Sequence, residues 1–251
     1  MHGGNRISLK GFKAIIFDLG GTLYCPNLRL LEFKRYFLSA CGYGEPSDFS
    51  EERVREALVE PRRWLGNLMK EKMPSPYWEP SVDEWKEFDR LFLQGLGLDD
   101  NPDKMSEAQL NDWEKALDAL GVHLIGNCKE VLEELSARGY GLGVASNRFG
   151  DPRPELKKSS ILNLFGAIEW THVLGYRKPS PYMLLKVADK LGVNPLKCVY
   201  VGNSIRADVG AAQRAGMKPI FIPICNFKPS QNLPEGLSVI SEMKDLLELF
   251  H

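Results

Sequence analysis

A doubly wound α/β core interrupted by a helical insertion is the fold this sequence predicts, and three observations predict it. Four short apolar runs rich in β-branched or aromatic residues, at 14–17, 142–145, 198–201 and 219–222, have the length and composition of buried parallel strands. The last three alternate with helical patterns, and β-then-α alternation builds a parallel sheet with helices on both faces. Between the first run and the second lie more than a hundred residues, far beyond the ~10 to 20 of an ordinary crossover, so an insertion is expected there.

In order along the chain, the first strand is 14–17, Ala-Ile-Ile-Phe, closed by Asp18. The insertion reads as helical: Leu30, Phe33 and Phe37, then Trp85, Phe88 and Phe92, then Leu110, Trp113 and Leu117 each fall on one helix face. A proline-rich break at 74–80 separates the earlier helices from the later ones. Four of the five tryptophans lie in this insertion, where they suit a small bundle's own core. Returning to the core, Val131, Leu132 and Leu135 form a helix face with a capping box expected at Asn127 and Glu130. Leu184, Val187 and Leu191 form the next, then Val209, Ala212 and Ala215, with a terminal helix at Met243, Leu246, Leu247 and Phe250 after a loop at 226–237. The expected division is a core of 1–24 with 123–251 and a helical domain of 25–122.

Composition narrows the function. The chain has 251 residues, 43% hydrophobic and 26% charged, as in an ordinary globular protein. A net charge of -1 gives no footing for nucleic acid or an anionic membrane. No apolar run reaches membrane-spanning length and no signal-peptide core is visible, so a cytoplasmic setting is expected, as a monomer or homodimer. The five cysteines, at 25, 41, 128, 198 and 225, have neither C-x-x-C nor zinc-ligand spacing, so no disulfide and no zinc site are expected, and Cys25 is assigned to packing.

Ligands of an open α/β sheet bind beyond the carboxyl ends of its strands, so residues that follow strands matter most. Asp18 follows the first strand, and Gly20 and Gly21 let the backbone turn so that its N–H groups approach a ligand, with Thr22 next. Ser146 and Asn147 follow the second strand. Lys178 precedes Pro179 in a loop that leads to a helix, and Asn203, an expected N-cap, and Asp208 follow the next strand. Each has an ordinary structural reading: a turn, a cap, a surface charge, a helix-dipole acid. Together they place an acid, a hydroxyl, a lysine and a second acid on one sheet edge.

In that order these residues resemble the haloacid dehalogenase superfamily. Asp18-x-x-x-Thr22 is similar to its first motif, Ser146 to its second, Lys178-Pro179 to its third, and Gly202-Asn203-Ser204 through Asp208 to its fourth; the insertion is placed like the family's first type of cap. The resemblance implies a Rossmann-like core in which Asp18 is the covalent nucleophile, assisted by Ser146 and Lys178. Phosphate would meet Gly20, Gly21, Thr22, Ser146, Asn147 and Lys178. Mg2+ would be held by Asp18 and the Gly20 carbonyl, with Asp208 or Asn203 through water, for hydrolysis of a small phosphorylated metabolite. Two positions depart from the common phosphatase pattern, both with loss of negative charge: Gly20 stands where an acid–base aspartate is usual, and Asn203 where aspartate is usual. The alternatives are a metal-independent 2-haloacid dehalogenase, whose usual tyrosine six residues after the lysine is here Leu184, or a weakly active binding protein. Tyr24, Arg29, Arg62 and Arg63 are candidate substrate readers, and Arg148, Arg153, Lys157 and Lys158 a candidate steering cluster.

Overall fold

A computed structural model describes residues 9, 11–26, 30–98, 103–105, 122–225 and 233–250. The chain forms two compact units, Met1–Cys25 with Leu124–His251, and Pro26–His123. Among the described residues no helix is long and apolar enough to cross a membrane.

The first unit is built on a six-stranded sheet. Its strands are β1 (Ala14–Phe17), β4 (Gly141–Ser146), β5 (Ala167–Trp170), β6 (Cys198–Gly202), β7 (Lys218–Phe221) and β8 (Ser238–Val239), in the order β5-β4-β1-β6-β7-β8. Every pairing is parallel. Two short strands, β2 (Tyr24–Cys25) and β3 (His123–Leu124), pair separately. β1 is central because all four of its residues are apolar and fully buried, as a strand covered on both faces must be. The strand order runs outward from β1 in two directions, and that reversal opens a crevice at the carboxyl ends of β1, β4 and β6.

On one face Ala14, Ile16, Ala145 and Tyr200 pack against Met183, Leu184 and Val187 of the Tyr182–Lys190 helix and Ala211 and Ala212 of the Gly210–Arg214 helix. The Cys128–Ala137 helix buries Val131, Leu132 and Leu135 and covers the other face. Each large apolar side chain so buried contributes ~1.5–3 kcal/mol. The second unit contains the helices Leu30–Ala40, Glu51–Ala57, Val59–Lys72 and Val82–Gly95, the last opened by a capping box between Ser81 and Glu84.

The alternating α/β core and the helical insertion are as the sequence predicts, but several details differ. β5 escapes an apolar-run search because Glu169 lies within it; its side chain is buried and paired with Lys186 at 3.4 Å and Lys190 at 2.5 Å from the neighbouring helix. Asn127 precedes its helix in the left-handed conformation, φ 61°, and its side chain makes no cap, so the expected capping box is absent. The expected helix at Leu110, Trp113 and Leu117 lies outside the described residues. Cys25 and Cys225 are joined by a disulfide, against the expectation of none, with Cα atoms 5.6 Å apart and a sequence separation of 200. Local spacing cannot reveal such a pair, because only the fold brings the ends of β2 and of the segment after β7 together.

Gly143 in β4 shows how closely helix and sheet approach: a Cβ there would meet Val187 Cγ1 at 2.4 Å, whereas at Gly141 the nearest atom is 3.7 Å away. Gly143→Ala should therefore destabilise the protein by about 1–3 kcal/mol through overpacking, with Gly141→Ala close to neutral, as read from denaturant midpoints. Equal midpoints for the two variants would contradict this packing.

Candidate active site

β1 ends at Phe17, and the next residue, Asp18, still donates its N–H to Val201 O (3.0 Å) before the chain turns. The sheet thus delivers its carboxylate to the crevice, 7% exposed. The following turn winds tightly around one carbonyl: Thr22, Leu23 and Tyr24 all donate to Leu19 O, at 3.1, 2.9 and 3.0 Å. Gly21 takes the positive φ of 82° and donates to Tyr24 O (2.7 Å), so its N–H is not open to phosphate as expected. Gly20 is exposed, and its N–H, unlike those of Gly21 to Tyr24, has no backbone acceptor. The Thr22 hydroxyl is buried without a hydrogen-bond partner.

Lys178 is the centre of the arrangement. Its Nζ lies 2.7 Å from Asp18 Oδ1 and 2.7 Å from Asp208 Oδ1, and its side chain is 2% exposed. Asn147 sets its backbone: Lys178 N–H donates to Asn147 Oδ1 (2.7 Å), and Asn147 Nδ2 donates to Lys178 O (3.0 Å). Asn147, expected at the phosphate, is thus engaged as a clamp on the lysine loop. The Lys178–Pro179 peptide bond is cis. Ser146, 5% exposed, closes β4 beside this clamp.

Asp208 sits in a π-helical turn, Ile205–Val209, capped by Ser204, whose hydroxyl accepts from Ala207 N–H. Ser204 therefore takes the capping role expected of Asn203, and Asn203 stands half-buried at the end of β6. Both carboxylate oxygens of Asp208 are engaged, Oδ1 by Lys178 and Oδ2 by Ser204 N–H at 2.8 Å, an arrangement that leaves each oxygen lone pairs for the water-mediated metal contact expected of Asp208 or Asn203. Gly202 must be glycine, because a Cβ would lie 2.5 Å from Asp208 Cβ and Cγ.

The electrostatics follow from burial. Desolvation holds the Asp18 carboxyl above its ordinary value, with Lys178 opposing and Asp208 reinforcing the shift. Burial alone would pull the Lys178 ammonium down, but the two carboxylates outweigh it and its pKa is raised. Among the described residues no cluster of three or more His, Cys, Asp or Glu side chains is placed to hold a metal.

Other candidates are engaged elsewhere. The Tyr24 hydroxyl donates to Glu155 O (3.4 Å), and burial pushes it up to about 12. Arg148 pairs with Glu155 and Arg153 with Asp151, each at 2.7 Å, so these two members of the expected steering cluster are engaged in ion pairs. Arg62 and Arg63 are exposed on their helix, Arg63 paired with Glu60 at 2.5 Å; Arg29 lies outside the described residues. His172 bonds Arg177 Nη1 through Nε2 (3.0 Å), and burial, then Arg177, lowers its pKa, which suits a neutral structural ring. Leu184 is fully buried in the core.

A parallel sheet whose central strand ends in a buried aspartate, tied by lysine to a second aspartate and interrupted by a helical unit, defines a class of α/β hydrolase. The family model described as haloacid dehalogenase-like hydrolase matches residues 12–216, and the chain belongs to that family. It is 33% identical over 233 residues to a phosphoglycolate phosphatase of Xylella fastidiosa, covering 88% of this chain and 84% of that one. It is 26% identical over 212 residues to a glyceraldehyde 3-phosphate phosphatase of Methanopyrus kandleri, covering 84% and 83%. Among solved structures it is similar to a protein from Haemophilus somnus described as a predicted phosphoglycolate phosphatase, with a TM-score of 0.61 and 26% identity over 96% of this chain and 98% of that one.

The triad makes a stability prediction. Because the Lys178 pKa is raised, its contribution is full below the ordinary value of 10.5 and is lost only as pH rises through the higher folded value. Lys178→Met leaves two buried carboxylates facing each other and should cost about 3–5 kcal/mol near neutral pH. Part of that loss should return on acidification, because one carboxyl of the pair, its pKa raised, takes up a proton. Denaturant titrations across pH check this; a variant that tracks the wild-type pH profile would contradict the triad.

Proposed function

We propose that this hydrolase is a Mg2+-dependent phosphatase acting on a small phosphorylated metabolite through an aspartyl-phosphate on Asp18. The observation that carries the reading is the Lys178 ammonium held 2.7 Å from both Asp18 and Asp208. One positive charge faces two negative ones, so a phosphate dianion entering beside them needs a further cation. The donors that fit are hard oxygens: the Asp18 carboxylate, the Gly20 carbonyl and Asn203, with Asp208 behind Lys178. Bound there, Mg2+ supplies charge neutralisation at the phosphoryl oxygens. The similarity to phosphatases of phosphoglycolate and glyceraldehyde 3-phosphate supports a small anionic phosphate ester as substrate.

Asp18 attacks phosphorus and the leaving oxygen departs; water then attacks the same phosphorus, releases phosphate and restores the carboxylate. Lys178 fixes the carboxylate's orientation and offsets charge as it moves onto the phosphoryl oxygens. The unpartnered hydroxyl of Thr22 and the N–H of Gly20, which has no backbone acceptor, suit phosphate oxygens, and Ser146 lies at the end of the adjacent strand. The inserted helical unit, 25–122 by sequence and Pro26–His123 by contact, is read as the cap that selects substrate.

No proton donor stands at Gly20, so the leaving group must carry its charge away largely unaided. A Cβ at Gly20 would meet nothing within 4 Å, and its φ lies outside the left-handed region, so aspartate fits there without strain. Wild type and Gly20→Asp should be assayed on aryl and alkyl phosphates with Mg2+ and with chelator. The expected result is phosphate release that chelator abolishes, a steep fall in wild-type rate with leaving-group pKa, and a shallower slope in Gly20→Asp. Chelator-insensitive halide release from 2-haloacids would replace phosphatase with dehalogenase. A shallow wild-type slope would mean that another residue donates the proton.

A further inference from the structure

Tyr200 lies in the middle of β6, 1% exposed, on the face that packs against Met183, Val187 and Ala211. A phenylalanine would satisfy that apolar setting, and a hydroxyl buried in it is costly unless bonded. Its hydroxyl lies 2.7 Å from Lys178 Nζ, 2.7 Å from Ala145 O and 3.4 Å from Asp208 Oδ1. Resting on the phosphatase reading, we propose that Tyr200 is a positioning residue that aims the Lys178 ammonium at Asp18.

Donor counting supports the assignment. Lys178 Nζ has four acceptors in reach, Asp18 Oδ1, Asp208 Oδ1 and Tyr200 Oη at 2.7 Å and Ala145 O at 3.0 Å, but an ammonium has three protons. If the phenol donates to Ala145 O, the ammonium's protons divide one each among the two carboxylates and the phenol oxygen. Each donor then has one acceptor, and Nζ is fixed by three directions. The phenol's proton is held on the Ala145 carbonyl, a pure acceptor 2.7 Å away. Without the hydroxyl, the third ammonium proton turns to Ala145 O at the longer distance, and Nζ is drawn toward β4.

Tyr200→Phe tests this by two independent readouts. In NMR of protein labelled with 15N at lysine Nζ, wild type should show one ammonium whose protons exchange slowly with water, identified by its absence in Lys178→Arg; Tyr200→Phe should speed that exchange roughly tenfold. Turnover of the best phosphate ester should fall roughly tenfold in kcat while KM stays within about twofold, since the loss is of aim in the transition state rather than of binding. Exchange and kcat both at wild-type values would overturn the proposal, as would faster exchange with unchanged kcat. Should Tyr200→Phe not fold, wild type decides: a Lys178 ammonium exchanging as fast as surface lysines overturns the proposal. Wild type that hydrolyses no phosphate ester but shows the slow, Tyr200-dependent ammonium keeps Tyr200 as the anchor of Lys178 and removes the phosphatase reading alone.

Discussion

One buried ammonium between two carboxylates is the interaction on which the core's functional edge depends. Removing three charges from water costs several kcal/mol per ion, which their mutual attraction offsets only when geometry is tightly held. The surrounding sequence supplies that geometry from four sides. The central strand carries Asp18 to its place, Asn147 grips the Lys178 backbone by both its groups, Gly202 leaves room for Asp208, and the Ser204 N–H fixes Asp208 Oδ2. Each is a backbone or amide constraint rather than another charge, so the triad keeps its single excess negative charge.

That excess charge links structure to chemistry. Asp208, turned toward Lys178 and Ser204, acts as a counter-ion of the lysine, and under the proposed reading a phosphate entering this site would need a further cation. Under the proposed Mg2+-dependent reading, the ion's partners would be Asp18 and the Gly20 carbonyl, with Asn203 or Asp208 through water. Mg2+ commonly binds through one or two carboxylates plus substrate phosphate, so the proposed set would favour binding of metal and phosphate together.

The sequence made the fold legible where one residue type carried the whole signal. β1 was readable because four buried apolar residues run directly into Asp18, and the order of Asp18, Ser146, Lys178 and Asp208 located the crevice before any geometry was known. β5 was not, since Glu169 reads as a surface residue until the lysines of the adjacent helix are seen to cover it. The pairing of Cys25 with Cys225 and the partners of Tyr200 depend on contacts between residues distant in sequence, which no local pattern encodes. The clamp made by Asn147 and the capping by Ser204 in place of Asn203 depend on side-chain direction, which the sequence does not carry.

Under the proposed mechanism Asp18 becomes covalently phosphorylated, which mass spectrometry of acid-quenched enzyme during turnover would detect. The predicted result is the added mass of one phosphoryl group on the peptide containing Asp18, which disappears in a folded but inactive Asp18→Asn variant. Turnover retained by Asp18→Asn, or a phosphoryl group trapped on a different residue, would contradict the claim.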